Sequence, residues 1–398
     1  MSLIPTPNRE TVIEKSKEVV KHIREKHLKQ ILDSDGPVFY ISDEYPGIWL
    51  EHTYDPLVWA DLTGETSYAV AQTRMFMKHQ REDGHLPCWA RHIMGYGQLQ
   101  ECVAFYQLCW EVYQMTGDRE YLAETYESGK KWNEWLCANR MGKSGLIEMI
   151  CGYDSGHDNS FRLDGMKYLG RIGDDAANYP EACPVAPIIA TDLNSILYGD
   201  RMALAAMAKE LGLDEESAQW KVKAEELKAK LFEVCYDEED QFFYDVDKNG
   251  QVRKCKSISI TSMFCEKVLS QEQADAIFER YFRNEKEFGT AYPYPAVSPS
   301  DPLFRKNLSG NSWGYFSQGL TMLRSLRWMK HYGYEKELHE NMEKWLAAWT
   351  VSPLQFGQEL DPFTGEPSDC SEWYSSTMLF YLTAAKELGY IDKEVLCK

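Results

Sequence analysis

Apolar residues recur at helical spacing along nearly the whole chain, and short connections built on Gly, Pro, Asp and Asn interrupt them. The period predicts helices over 9–32, 66–81, 97–116, 119–139, 192–212 and 214–235. Further helices are predicted over 258–267, 271–284, 311–332, 335–349 and 371–388. One helical hairpin is nearly explicit. Thr116-Gly117-Asp118 separates two periodic runs, with Gly as the stop of the first helix and Asp as the N-cap of the next. Leu211-Gly212-Leu213-Asp214 and Tyr332-Gly333-Tyr334 repeat the device. Helices paired in this way predict an all-α fold, an (α/α)6 toroid of six helical hairpins in a ring, formed as a single domain over 1–398. The one convincing strand signal, Gln241 to Val246 followed by Gln251-Val252-Arg253, predicts a small β-hairpin decorating the helical body.

Long polar and aromatic connections remain at 40–60, 83–97, 141–191, 286–312 and 351–372. Loops of that length in a compact fold tend to be functional. Alternate loops of a helical ring converge on one mouth, which predicts a cleft lined by Trp49, Tyr54, Trp89, Tyr153, Trp313 and Trp373. The 12 Trp and 24 Tyr include enough flat rings to serve as platforms for the apolar faces of sugars. Trp132 and Trp135, three residues apart in a helix, read instead as core, and the charged runs at 221–230 and 335–344 as solvated helix faces.

A net charge of −19 would repel a phosphate backbone, which argues against nucleic acid as a partner. No stretch approaches the roughly 20 apolar residues of a membrane span, and Met1 to Glu10 is polar with two prolines, so a cytoplasmic protein without a membrane partner is expected. The 11 cysteines are odd in number and scattered, without CxxC or Cys/His spacing, which predicts reduced, mostly buried thiols and neither a metal nor a cofactor.

The loop from Cys151 to Ser160 places Asp154 and Asp158 beside a glycine and the rings of Tyr153 and His157. Hydrolysis of a glycosidic bond needs one protonated carboxyl at the leaving oxygen and a second carboxylate for the sugar or for water. Partial burial here would raise a carboxyl pKa, which makes Asp158 the candidate acid. Asp154 reads as a sugar ligand or an orienter, and Asn159 and His157 as further contacts. Both aspartates read equally as turn residues, since Asp, Ser, Gly and Asn dominate loops for conformational reasons. Gln100, near the start of a predicted helix, is a candidate substrate contact beside Glu101, which favours the helix dipole.

The run Tyr153-Asp154-Ser155-Gly156-His157-Asp158-Asn159-Ser160 resembles the Asp-Ser-Gly-x-Asp-Asn-Ser loop of the glycoside hydrolase family 63 group, which includes the mannosylglycerate and glucosylglycerate hydrolases. Tyr54-Asp55, His79 to Pro87, Thr191-Asp192-Leu193-Asn194 and Asp361-Pro362-Phe363-Thr364-Gly365 follow the same pattern in the same order, from about residue 48 to 385. The resemblance implies a toroid, an inverting mechanism on a small α-linked glucoside or mannoside, Asp158 as general acid, and Tyr54 and Asp55 within the site. It also implies a base Glu four residues ahead of the Pro of the Asp-Pro-x-Thr-Gly turn. That position is Gln358 here, with Glu359 one residue later. Gln cannot accept a proton from water at neutral pH, so Glu359 becomes the candidate base. The family's Trp-Arg-Gly-Pro-x-Trp run corresponds to Ser309 to Tyr315, which keeps Trp313 and lacks the Arg.

Two other functions fit the same features. A sugar epimerase on the same toroid would need paired histidines, drawn from His157, His52, His85 and His92. A non-catalytic carbohydrate-binding protein follows if Gln358 truly occupies the base position and Glu359 points away. The polar insertion from Arg162 to Cys183 either closes over a small substrate or packs against another subunit of a homo-oligomer.

Overall fold

The computed structural model of the chain describes residues 4–99, 103–165, 183–306, 311 and 313–397. Its helices are α1 (Arg9–His22), α2 (Asp55–Thr63), α3 (Ser67–Lys78), α4 (Phe105–Thr116), α5 (Arg119–Asn139), α6 (Thr191–Glu210) and α7 (Asp214–Cys235). They continue with α8 (Thr261–Cys265), α9 (Gln271–Ile277), α10 (Gly319–Trp328), α11 (Glu335–Val351), α12 (Ser375–Glu387) and α13 (Lys393–Cys397). Helix α4 packs on α6, α6 on α8, α8 on α10, α10 on α12 and α12 on α2, and α3 bridges α2 to α4. The intervening helices α1, α3, α5, α7, α9 and α11 form the outer layer of the (α/α)6 toroid.

Sequence chemistry separates the two layers. Inner helix α12 is buried from Ser375 to Ala385 without a break, and α8 along its whole length. Outer helix α7 buries only Ser217, Trp220, Ala224, Leu227, Leu231 and Cys235, one stripe at spacings of three and four. At the predicted hairpin, Gly117 takes φ 67° and ends α4, and the Asp118 side chain accepts from the Glu120 and Tyr121 amides at 3.0 and 3.1 Å. The N-terminus of α4 has no side-chain cap of its own. Glu266 and Asp200, from neighbouring segments, accept from the Ala104 and Tyr106 amides at 3.1 and 2.8 Å.

Several boundaries differ from the sequence prediction. Helix α2 begins inside the stretch predicted as a loop over 40–60 and runs on to Thr63. Nearly every one of its residues is buried, so it shows no amphipathic period. The helices predicted to begin at 97 and 311 begin at Phe105 and Gly319. In the second case Ser317–Gln318 is extended and pairs with Glu359–Leu360. The predicted β-hairpin is more than decoration. Asp245–Val246 and Val252–Arg253 pair as expected, but Asp245–Val246 also joins Ile188–Ile189, which pairs with Glu148–Met149. The resulting four-stranded sheet anchors the chain just before the 151–160 loop. Among the described residues every cysteine is unbridged, and no helix is long and apolar enough to cross a membrane.

Candidate active site

A cleft of about 400 Å³ opens on the ring, lined by residues drawn from 41–52 and 153–159 together with Arg91, Asn311, Trp313, Leu320, Gln358 and Tyr374. Its chemistry begins with the 151–160 loop. Asp154, fully buried, accepts from the Leu99, Ile150 and Cys151 amides at 2.9, 2.9 and 3.0 Å and pairs with both terminal nitrogens of Arg140 at 2.9 Å. Asp154 therefore folds the loop from within and offers nothing to the cleft, which corrects its reading as a sugar ligand. Four residues on, Asp158 lines the cleft, and its Oδ1 has no hydrogen-bond partner. Burial, reinforced by the charge of Glu51, pushes the Asp158 carboxyl well above the usual carboxylate range.

Asn159 and Tyr153 also line the cleft. Asn159 adopts a left-handed φ of 59°, which Asn tolerates, and donates through Nδ2 to the Asn311 carbonyl at 2.8 Å. The Trp313 amide donates to the Asp158 carbonyl at 3.3 Å, which seats the Trp313 ring in the cleft wall. His157 stacks on that ring at 4.0 Å between centroids, buried and outside the cleft lining. Its part is to back Trp313 rather than to touch a ligand, and burial followed by the charges of Arg162 and Arg324 pushes its pKa well down.

Another part of the lining is carried by the extended pair Ile48–Trp49 and Trp89–Ala90. Trp49 lines the cleft, whereas Trp89 packs behind it at 6.4 Å. Gly95 makes room for Trp89, because a Cβ there would lie 2.0 Å from the indole. The turn after Trp49 brings Glu51 and His52 into the cleft; His52 is expected from sequence only as one of an epimerase's paired histidines, and Glu51 is not assigned to a sugar site at all. Asp55 does not reach the cleft. It faces His52 Nδ1 at 3.0 Å and accepts from the Ser376 hydroxyl at 3.1 Å. With Nδ1 held by that carboxylate, the His52 Nε2 lone pair is left for the Tyr374 hydroxyl at 2.9 Å. Tyr54 turns away under Arg327, whose guanidinium lies 5.2 Å from its ring, and opens on a separate cavity of about 230 Å³. Trp373 stacks on His22 at 3.8 Å and is likewise outside the lining. Gln100 lies outside the described residues.

The base position resolves by strand geometry. Successive side chains of an extended strand point to opposite faces, so Gln358 and Glu359 cannot both enter the cleft. Gln358 does, with Nε2 donating to Asn311 Oδ1 at 2.9 Å. Glu359 faces the other way, fully buried, accepting from Gln318 Nε2 and from the Ser368 hydroxyl, each at 2.8 Å. Among the described residues, Glu51 and Asp158 are the two carboxyl groups that line the cleft.

Arg91 also faces the cleft, its guanidinium 4.6 Å from the centroid of the Trp49 ring. Its Nε is buried without a hydrogen-bond partner, and no carboxylate among the described residues pairs with it. Arg324 lies beneath the site and donates to the Glu51 carbonyl at 3.1 Å. The features that could have pointed to these residues are their positions beside Trp49 and Trp89, but arginine and glutamate in loops are too common to stand out.

A helical toroid with two carboxyl groups in an aromatic cleft has the groups that glycoside hydrolysis needs. Residues 57–377 match the mannosylglycerate hydrolase MGH1-like glycoside hydrolase domain, and the chain belongs to that family. The fold is similar to that of the GH63 mannosylglycerate hydrolase of Thermus thermophilus, with a TM-score of 0.73 and 18% identity over 93% of this chain and 99% of that one. It is also similar to the neutral trehalase of Saccharomyces cerevisiae, with a TM-score of 0.68 and 15% identity over 96% of this chain and 80% of that one. In sequence, a cytosolic neutral trehalase of Kluyveromyces lactis is 26% identical over 216 residues, 51% of this chain and 26% of the relative. An uncharacterized protein of Borreliella burgdorferi is 23% identical over 227 residues, 56% of this chain and 42% of the relative. The matches thus span less than half the length of these two relatives.

Proposed function

We propose that the chain is an inverting glycoside hydrolase acting on a small α-linked glucoside or mannoside, with Asp158 as general acid and Glu51 as the second carboxylate. The observation that carries this reading is the Asp158 carboxyl facing the cleft, its Oδ1 without a hydrogen-bond partner, with Glu51 lining the same cleft. Glu51 accepts a proton from water as the water oxygen bonds to the anomeric carbon. The glycosidic C–O bond breaks, and the Asp158 proton passes to the leaving oxygen. The products are a sugar of inverted anomeric configuration and the free aglycone hydroxyl. Glu359, the base expected from sequence, is better suited to holding the strand pair Ser317–Gln318 and Glu359–Leu360 together.

Arg91 favours an aglycone carrying an anionic group, since a partly buried guanidinium without a counter-charge gains most from a carboxylate. The T. thermophilus relative has been crystallised with D-glycerate, a ligand of that chemistry. Release of free sugar from a panel of α-glucosides and α-mannosides, with glycerate conjugates included, tests the reading when the first-formed anomer is followed by NMR. Inversion is expected, and retention of configuration would contradict it.

A second reading, a sugar-binding protein without turnover, is favoured by one observation: Gln358 occupies the cleft position where the family resemblance implies a base. It predicts saturable sugar binding with no hydrolysis across the same panel. An epimerase is disfavoured, because of the four histidines considered only His52 lines the cleft; His85 is stacked on Trp135 at 4.0 Å, and His92 is exposed.

A further inference from the structure

Helix α1 does not end at His22. Its next turn, Ile23–His27, is wound as a π-helix, with the Leu28 amide donating to the Ile23 carbonyl. In an α-helix, residues five apart point about 140° away from each other, at about 3.6 residues per turn. The wider π turn, with its i to i+5 bonds, sets such residues almost one above the other. His22 and His27 are such a pair, and their rings lie 5.4 Å apart between centroids.

The two rings are also oriented. His27, fully buried, has Nδ1 2.6 Å from the Tyr40 carbonyl, so Nδ1–H donates there and Nε2 carries the lone pair. His22 is fixed in plane by its stack on Trp373. The Nε2 atoms of both histidines are buried without a hydrogen-bond partner, an arrangement that costs free energy unless something accepts the lone pairs. Asp43 completes the group, its Oδ2 3.7 Å from His22 Nε2, and one ligand atom of each of the three residues lies within 4.8 Å of the others. Ligand atoms on a tetrahedral ion, bonded at about 2.0–2.1 Å, stand about 3.3 Å apart.

We infer that His22, His27 and Asp43 form a binding site for a divalent transition ion of the Zn²⁺ class, with a solvent molecule completing the coordination. Two imidazoles and one carboxylate suit a borderline ion and not Mg²⁺ or Ca²⁺, which take oxygen ligands in greater number. Asp43 is half exposed and gives the ion its way in. The three ligands lie outside the span of residues, 57–377, that matches the glycoside hydrolase domain. The ion would tie the end of α1 to the segment carrying Ile41 and Tyr45, both of which line the cleft, so its role is to brace that wall. No such ligand set is legible from spacing, because histidines five positions apart do not share a face of an α-helix and Asp43 lies 16 residues further on.

The test uses the full chain after removal of metal with a chelator. Equilibrium dialysis against Zn²⁺ is expected to give one ion per chain. Co²⁺ in its place should show the visible absorption of a four- or five-coordinate ion. Each of His22→Gln and Asp43→Asn should weaken Zn²⁺ binding at least tenfold, and the double variant should lose it, with the circular dichroism of all three unchanged from the parent. Absence of saturable binding by the parent, or undiminished binding by the double variant, would overturn the assignment.

Discussion

Glu51 and Asp158 line the same cleft, and the charge of the first adds to burial in holding the proton on the second. A negative charge in the same partly desolvated space disfavours ionisation of a neighbouring carboxyl, so Glu51 raises the Asp158 pKa further. On the proposed roles this is how one fold keeps an acid and a base side by side at neutral pH.

That relationship fixes the pH dependence of turnover. Asp158 must be protonated to act, so activity should fall on the alkaline side as pH rises through its raised pKa. Removing the negative charge in Glu51→Gln should lower that pKa. The residual activity of the variant, or the direct titration of Asp158 by NMR, should therefore shift to lower pH; an unchanged Asp158 titration would break the link between the two groups.

Stability carries the same sign. A carboxyl whose pKa is raised by folding contributes fully below its unfolded pKa, and that contribution is lost as pH rises through the folded value. Asp158, Asp200 and Glu266 are all shifted upward, chiefly by burial. Asp158→Asn should flatten the decline in stability over that range, measured by urea unfolding at a series of pH values.

The buried pair Arg140 and Asp154 should act on folding rather than on chemistry. Arg140→Ala leaves the Asp154 charge buried without its counter-ion, at a cost of about 3–5 kcal/mol by denaturant unfolding. Glu359→Gln keeps most of its hydrogen bonds and should leave kcat within a few-fold of the parent. A loss of about 10²-fold or more, the range of a missing general base, would return Glu359 to the mechanism.

Arg91→Ala should raise KM for a glycoside with a carboxylate-bearing aglycone about tenfold or more, the effect of one charge-assisted hydrogen bond of about 1.5–3 kcal/mol. It should leave neutral glycosides nearly unaffected. Equal effects on both substrate kinds would assign Arg91 to packing against Trp49.

The ring of helices was legible in the sequence because outer helices such as α7 must show one apolar stripe, and because Gly117 and Asp118 punctuate the turn between α4 and α5. Helix α2 was not, since a segment buried on every side loses its period. Within the site, Asp158 stood out because it sits in a run of matching residues, and Trp49, Tyr153, Asn159 and Trp313 do line the cleft. The direction of a side chain is harder to read. Asp154 and Asp158 lie four residues apart in one loop, yet one is its internal brace and the other faces the cleft. Gln358 and Glu359 are neighbours that a single strand turns to opposite sides. Glu51 carried no signal because nothing in its neighbourhood marks the turn that swings it beside Asp158.

The most direct test of the paired roles is hydrolysis of a glycosyl fluoride, whose leaving group needs no proton, beside that of the ordinary glycoside. Asp158→Asn is expected to lose about 10²–10⁴-fold on the glycoside while keeping turnover of the fluoride near the parent level, and Glu51→Gln to be impaired on both. If Asp158→Asn were equally impaired on both substrates, or Glu51→Gln on neither, the assignment of acid and base would be contradicted.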